Sequence, residues 1–273
     1  MIPDLTALVL TVAPSQPTTT PGHLGRAVYN FCLQWIASDN PELAQGLHDN
    51  NERKPFTCST LIGGQRQDKD SRLYRPDQPA WLRLTGLNAA VSAQLLRLAE
   101  APPATIELDN IPFRVLSVSL EPEEHEWAGQ TTYEAMAAPY LLAGRRPAYR
   151  LGLYLASPTT FRSQGRSQPI PMPDWVFGSL IDRWNSFSPV QVAPEARRFA
   201  AECVVLNRYQ LKTHAVPFKA NVVQMGCQGR AYYVLLNRDP YWASLLNLMI
   251  EYSFYSGIGY QTTVGLGQAR ALV

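Results

Sequence analysis

The order of predicted elements makes this chain an α+β protein built from two successive βαββαβ units. Three observations carry that expectation. Apolar, β-branched runs alternate with stretches whose apolar residues recur every three or four positions. Helix-starting residues stand at the front of those stretches. The order of the first half then comes round again, more irregularly, after a connector at residues 129–148.

Taken in order, "LTALVLTVAP" is β-branched and apolar and reads as a buried strand. Pro21 and Gly22 introduce a helix whose Leu24, Val28, Phe31 and Trp35 fall on one face. Asn40-Pro41 breaks it, and "PELAQGL" supplies a short second helix ending at His48. "PFTCSTLIGG" and "AWLRLTGL" follow as strands. "NAAVSAQLLRLAEA" is a helix that Asn88 is placed to cap, with Val91, Leu95 and Leu98 inward. "ATIELDNIPFRVLSVSL" returns to strand character. Strand, helix, two strands, helix, strand is the order of a ferredoxin-like (RRM-like) domain, expected over residues 1–128.

The second unit, expected over 149–273, opens with the strand "YRLGLYLASPTTF". Helices "DWVFGSLIDRWNSF", with Asp174 as candidate cap, and "PEARRFAAEC" come next. They lead to the strands "CVVLNRYQLKTHAV" and "AYYVLLN", the latter after a turn at Gly226 to Gly229. Asp239-Pro240 opens a last helix, proline being favourable at the first helical position. Trp242, Leu245, Leu246, Met249 and Ile250 line it. The glycine-rich stretch "GIGYQTTVGLG" and a short strand, "QARALV", close the chain.

Composition narrows the function classes. The 273 residues suffice for one large domain or two of ordinary size. Apolar residues at 46% and charged residues at 17% suit a folded globular chain. A net charge of +2 announces no global basic field for a nucleic acid. Of the 24 Lys and Arg residues only Lys54, Lys69, Lys212 and Lys219 are lysines. Arginine on that scale fits bidentate phosphate contacts or a GC-rich coding bias equally. Cys32, Cys58, Cys203 and Cys227 are scattered without ligand spacing, so they read as reduced thiols and no metal site is expected. Neither a signal peptide nor a membrane-spanning apolar run stands out, so the expectation is a cytoplasmic protein with no membrane partner.

Three readings compete for "GIGYQTTVGLG". A Walker A loop needs a Lys after its glycines, and none follows. A dinucleotide fingerprint opens a helix early in a βαβ unit, whereas this stretch follows a helix near the C-terminus. A helix cap at Gly257 followed by a tight hairpin would account for one glycine pair. Two pairs, Gly257/Gly259 and Gly265/Gly267, with Tyr260 and Gln261 between, exceed what a cap requires. A loop of exposed backbone N–H groups suits the grip of a phosphodiester backbone.

This loop resembles the glycine-rich loop that closes the repeat-associated RNA-processing (RAMP) superfamily of CRISPR systems. Further blocks resemble one branch, the CRISPR-associated protein 6 family of endoribonucleases. In the block that starts at Gly25 and runs through "YNFCLQWIASDNPELAQGLHDNNERKPFTCSTLIG", a helix leads to an "LH" and then a "K-x-F-T". "SPTTFRSQGRSQPIPMPDWVFGSLIDRWN" resembles the block opening the family's second half. The resemblance implies two tandem ferredoxin-like units, in agreement with the element order. It implies a prokaryotic endoribonuclease that cuts CRISPR precursor RNA within repeats to give guide RNAs. No cofactor is implied. The implied partner is CRISPR repeat RNA, with a CRISPR effector complex and a homodimer as further candidates.

The residues support that chemistry on their own terms. His48 lies in the polar turn "LHDNNERK" with Arg53 and Lys54 close by, although a lone histidine is often structural. A histidine moves protons near neutral pH, and a cation beside it stabilises charge building on a phosphate. Together they suit cleavage by the substrate's own 2′-OH. Asp68, Asp70 and Glu121 to Glu126 sit in separate charge runs, so a two-metal site is not expected. The resemblance places a catalytic His at the "LH" and a Lys before "F-T", here His48 and Lys54. Where some members carry a helix tyrosine this chain has Leu33. Tyr29, one turn earlier on the same face, is a substitute or a packing residue, and His23 is an outside candidate. For RNA contact the resemblance implicates Gly257, Gly259, Gly265 and Gly267. Arg162, Arg166, Lys212 and Lys219 are phosphate candidates, and Tyr260 is a stacking or a turn-packing residue. A non-cleaving repeat-RNA-binding module of the same fold, or an effector-complex subunit, is the alternative to the enzyme. An enzyme acting on small nucleotides lacks any phosphate motif.

Overall fold

Two antiparallel sheets of the same plan organise the chain. The computed structural model describes residues 3–49, 53–142, 144–219 and 222–272, with the side chains of residues 218, 219 and 222 also outside the description. It divides into two units, Met1–Gln130 with Thr263–Gly265, and Thr131–Thr262 with Leu266–Val273. Most of the stretch read as a connector therefore groups with the second unit.

In the first unit β1 (Leu5–Pro14) and β2 (Thr18–Pro21) lead to α1 (Gly25–Asp39) and α2 (Pro41–Asp49). Then come β3 (Phe56–Cys58), β4 (Gln65–Arg66), β5 (Ser71–Tyr74), β6 (Ala80–Gly86), α3 (Ala89–Glu100), β7 (Thr105–Leu108), β8 (Ile111–Ser119) and β9 (Gly129–Thr131). The main sheet runs β3-β6-β1-β8-β7. Its first four strands are the second, third, first and fourth of a ferredoxin-like unit, and β7 is an addition at the edge. Central β1 is buried along nearly its whole length, as a strand flanked on both edges requires. Its Leu8, Leu10 and Val12 join Val28, Cys32 and Ile36 of α1 and Val91, Leu95 and Leu98 of α3 in one core. Asn88 caps α3, its Oδ1 accepting the Val91 N–H at 2.9 Å.

The stretch "ATIELDNIPFRVLSVSL", read as a single run of strand, folds as the β7–β8 hairpin. Asp109 and Asn110 turn it at φ of 56° and 62°, the positive values that tight hairpin turns need and that Asp and Asn tolerate.

The second unit begins with α4 (Tyr133–Leu141), β10 (Arg150–Thr159), β11 (Phe161–Ser163) and β12 (Arg166–Gln168). It continues through α5 (Pro173–Phe187), α6 (Glu195–Cys203), β13 (Val204–Lys219), β14 (Val222–Leu235), α7 (Pro240–Ser256) and β15 (Ala269–Leu272). Its sheet order, β13-β14-β10-β15, repeats the second-third-first-fourth arrangement. Leu151, Leu153 and Leu155 of β10 alternate with less buried Gly152, Tyr154 and Ala156, so one face of the strand makes core. Asp239 caps α7, accepting the N–H groups of Tyr241 and Trp242 at 2.9 and 3.3 Å.

Two local expectations are corrected. Gly226 to Gly229 is no turn but the middle of β14. A Cβ on Gly229 would lie 2.1 Å from the Gln210 carbonyl of β13, and one on Gly226 would lie 2.9 Å from Pro158, so close strand approach accounts for both glycines. Asp174 is not the cap of α5 either. Pro173 takes the first helical position after Met172, which leaves Asp174 inside the first turn, where its charge meets the helix dipole. Among the described residues no helix is long and apolar enough to cross a membrane.

Candidate active site

The candidate acid–base residue sits where α2 ends. Asn40 Oδ1 accepts the Leu43 N–H at 2.9 Å and Pro41 takes the first helical position, so the start of α2 is set locally. Ala44 and Leu47 turn inward. A further 100° of helical rotation carries His48 out to solvent. Lys54 folds back onto the same turn, its Nζ donating to the Leu47 carbonyl and, at 3.4 Å, to the His48 carbonyl. The last carbonyls of a helix lack intrahelical partners and carry its negative dipole end, so an ammonium is favoured there. Burial lowers the Lys54 pKa below that of a free lysine, and nearby Asp49 opposes the shift. Histidine and lysine, six positions apart, thus meet at one helix turn. Residues 50–52 between them lie outside the described residues.

The helix candidates make contacts within the fold. Tyr29 stacks its ring on Phe56 with centroids 5.8 Å apart and joins the edge of the core, and burial raises its pKa. Leu33 packs against the same core. His23 lies just before α1, its Nε2 2.8 Å from the Val264 carbonyl. A carbonyl only accepts, so Nε2 carries the proton. Burial lowers the pKa of His23, outweighing the opposite pull of that hydrogen bond.

The glycine-rich loop departs from expectation in one respect. Its glycine N–H groups do not stand free for a ligand. Gly257 donates to Ser253 O at 3.0 Å, Gly259 to Ser179 Oγ at 2.9 Å, Gly265 to Cys58 O at 3.0 Å and Gly267 to Pro158 O at 3.1 Å. All four have φ between 60° and 95°. An added Cβ would lie 2.8 Å from Gly267 O at Gly257, 2.3 Å from Thr160 O at Gly259, 2.7 Å from the His23 ring at Gly265 and 2.1 Å from Ile258 O at Gly267. Close protein-to-protein approach in a left-handed backbone is what these glycines serve. Gly257 also ends α7, as a simple cap would.

The short stretch Thr263–Gly265 belongs to the first unit. There Gly265 bridges Ser59 in parallel, just beyond edge strand β3. Gly25 opens α1 with no capping side chain before it, and a Cβ at Gly25 would lie 1.9 Å from Val264 O, which accounts for the glycine. A glycine at a helix start lacking Ser, Thr, Asp or Asn before it was the available signal for this contact.

The RNA-contact candidates fall in three places. Arg162 and Arg166 are exposed on the β11–β12 hairpin. Arg162 pairs with Ser167 and Arg166 with Ser163, so the two arginines stand on opposite faces of the ribbon. The Arg162 guanidinium lies 4.8 Å from the centre of the half-buried Tyr260 ring, and the Tyr260 N–H donates to Thr160 O at 2.8 Å. Lys212 is exposed on edge strand β13. Lys219 ends that strand, and its side chain lies outside the described residues. Among the described residues no three or more His, Cys, Asp or Glu gather as a metal site.

Comparison with known proteins bears on the whole chain. The family described as CRISPR-associated endoribonuclease Cas6 matches residues 153–269, and the CRISPR Cas6 N-terminal domain matches residues 5–138. Among solved structures, a Cas6 (TTHA0078) product complex is 29% identical with a TM-score of 0.79, over 98% of this chain and 99% of that one. A product complex of Thermus thermophilus Cas6 (TTHB231) is 26% identical with a TM-score of 0.80, over 98% and 100%. A Cas6 (TTHA0078) substrate mimic complex is 28% identical with a TM-score of 0.73, over 98% and 99%. No curated protein matches the sequence. With a Cas6 family model on each half and full-length likeness to these structures, the chain belongs to the CRISPR-associated Cas6 endoribonuclease family.

Proposed function

We propose that this protein cleaves CRISPR precursor RNA within each repeat to generate guide RNAs, without a metal ion. The observation that carries the proposal is the return of Lys54 to the turn that presents His48. Solvent-exposed His48 takes the proton from the nucleophilic 2′-OH or supplies one to the departing 5′-oxygen. Lys54, already partly out of water, offsets charge on the phosphate in the transition state, where desolvation strengthens the attraction. Attack by the 2′-OH leaves a 2′,3′-cyclic phosphate and a 5′-hydroxyl. The product and substrate-mimic complexes of related Cas6 proteins support repeat RNA as the substrate.

The RNA is held by the glycine-rich loop together with side chains rather than by free glycine N–H groups. Tyr260 and Arg162 form one contact, and Arg166, Lys212 and Lys219 supply phosphate contacts. The guide passes to a CRISPR effector complex. Leu33 at the family's tyrosine position favours one second reading, a repeat-RNA-binding module that does not cut.

The test is incubation of the purified protein with synthetic repeat RNA in excess chelator, followed by mapping of the ends. One cut per repeat, blocked by a 2′-deoxy at that position, is expected. Tight binding without products would establish the second reading. A requirement for added metal would overturn the proposed chemistry.

A further inference from the structure

One helix holds both polar groups of the Gly259 backbone. Ser179 Oγ accepts its N–H at 2.9 Å, and the Arg183 guanidinium donates to its carbonyl at 2.7 Å. Ser179 and Arg183 are four positions apart on α5, so they project from one face of the helix. The next residue is Tyr260, fixed by its N–H on Thr160 O and by Arg162 over its ring. Arg183 is only 9% exposed, and removing a guanidinium from water is costly unless its hydrogen bonds are made inside. A free Gly-Tyr segment would sample many backbone conformations, because glycine restricts the chain least. A ligand would then have to order it on binding.

We propose that Ser179 and Arg183 are positioning residues that hold Tyr260 and Arg162 as a preformed platform on which one unpaired base of the RNA stacks. The proposal rests on the reading of the loop as an RNA contact. A platform ordered before binding lowers the concentration of protein needed to capture RNA. It leaves the cleavage step to His48 and Lys54, which lie in the other unit.

The probe is a synthetic RNA of the repeat sequence from the host's own array. Single-turnover cleavage is measured across protein concentrations, giving a half-saturating concentration and a maximal rate. Losing one neutral hydrogen bond predicts a roughly three- to tenfold higher half-saturating concentration for Ser179→Ala, with the maximal rate kept. Ser179→Thr, which retains an acceptor oxygen, and Arg183→Lys, which retains a donor, recover most of the capture. In a Tyr260→Ala background Ser179→Ala has no further effect, since the platform it positions is gone. An equal effect of Ser179→Ala with and without Tyr260 overturns the positioning role. So does a lowered melting temperature at unchanged half-saturation. If Tyr260→Ala alone leaves capture unchanged, the loop reading itself fails, a result distinct from failure of the clamp.

Discussion

Gly267→Ala separates the two costs that make the loop's glycines necessary. The new Cβ would sit 2.1 Å from the Ile258 carbonyl oxygen, at a residue with φ of 73°. Carbon and oxygen pack favourably only beyond about 3 Å, so roughly 1 Å of separation is required. That separation breaks the Ile258 N–H to Gly267 carbonyl bond, now 2.8 Å, and loosens the Gly267 N–H to Pro158 carbonyl bond at 3.1 Å. An unsatisfied buried group costs about 1–3 kcal/mol, and a left-handed alanine costs about 1–2 kcal/mol. Together they give a loss of roughly 2–5 kcal/mol. Gly165 is the matched control, with φ of 74° and nothing within 4 Å of its Cβ position. Gly165→Ala should lose only the conformational part, about 1–2 kcal/mol. Urea denaturation of the full chain, followed by tryptophan fluorescence, measures both. Equal losses for the two variants would refute close packing as the reason for Gly267.

Other outcomes follow from the same geometry. His48→Ala should slow cleavage roughly 10²–10⁴-fold, measured on labelled repeat RNA in chelator, and a wild-type rate would remove His48 from the chemistry. The lowered pKa of Lys54 means that its cation is lost as pH rises, before a free lysine would titrate. Cleavage should therefore decline on the alkaline side, and Lys54→Arg should move that decline upward. An unchanged pH profile would exclude the ammonium from the transition state. His23 binds protons less readily folded than unfolded. Its contribution to stability is complete above about pH 6.5 and is lost as pH falls toward the lowered folded value. His23→Gln should accordingly melt with a shallower acid dependence than wild type, and an identical dependence would argue against burial of that histidine.

Much of the fold was legible because it is written in local periodicity. The alternating burial of β10, the caps at Asn88 and Asp239 and the inward rows of α1 and α3 all depend on residues a few positions apart. Two errors have different origins. Gly226 and Gly229 carry a turn signature, and only the neighbouring backbone of Gln210 and Pro158 shows that they serve strand packing. Asp109-Asn110 is a hairpin signal that lay hidden inside a long run of strand-forming residues. At the candidate site, His48 and Lys54 are close in sequence and could be paired from it. Ser179 and Arg183 could not, because they reach Gly259 across about 80 positions and carry no motif.

The sequence by itself determined the α+β class, the doubled βαββαβ order and the neighbourhood of His48 and Lys54. These follow from spacing, capping and short-range charge. Only the tertiary structure decided what the glycine-rich loop does with its backbone. A glycine announces that some atom must come close, but not which one. Here the close atoms are carbonyls of the same chain, at Thr160, Ile258 and Gly267, and the ring of His23. Thr160 and His23 reach Gly259 and Gly265 from distant segments, and Ile258 and Gly267 meet only because folding closes the loop on itself, so spacing along the chain did not reveal the contacts.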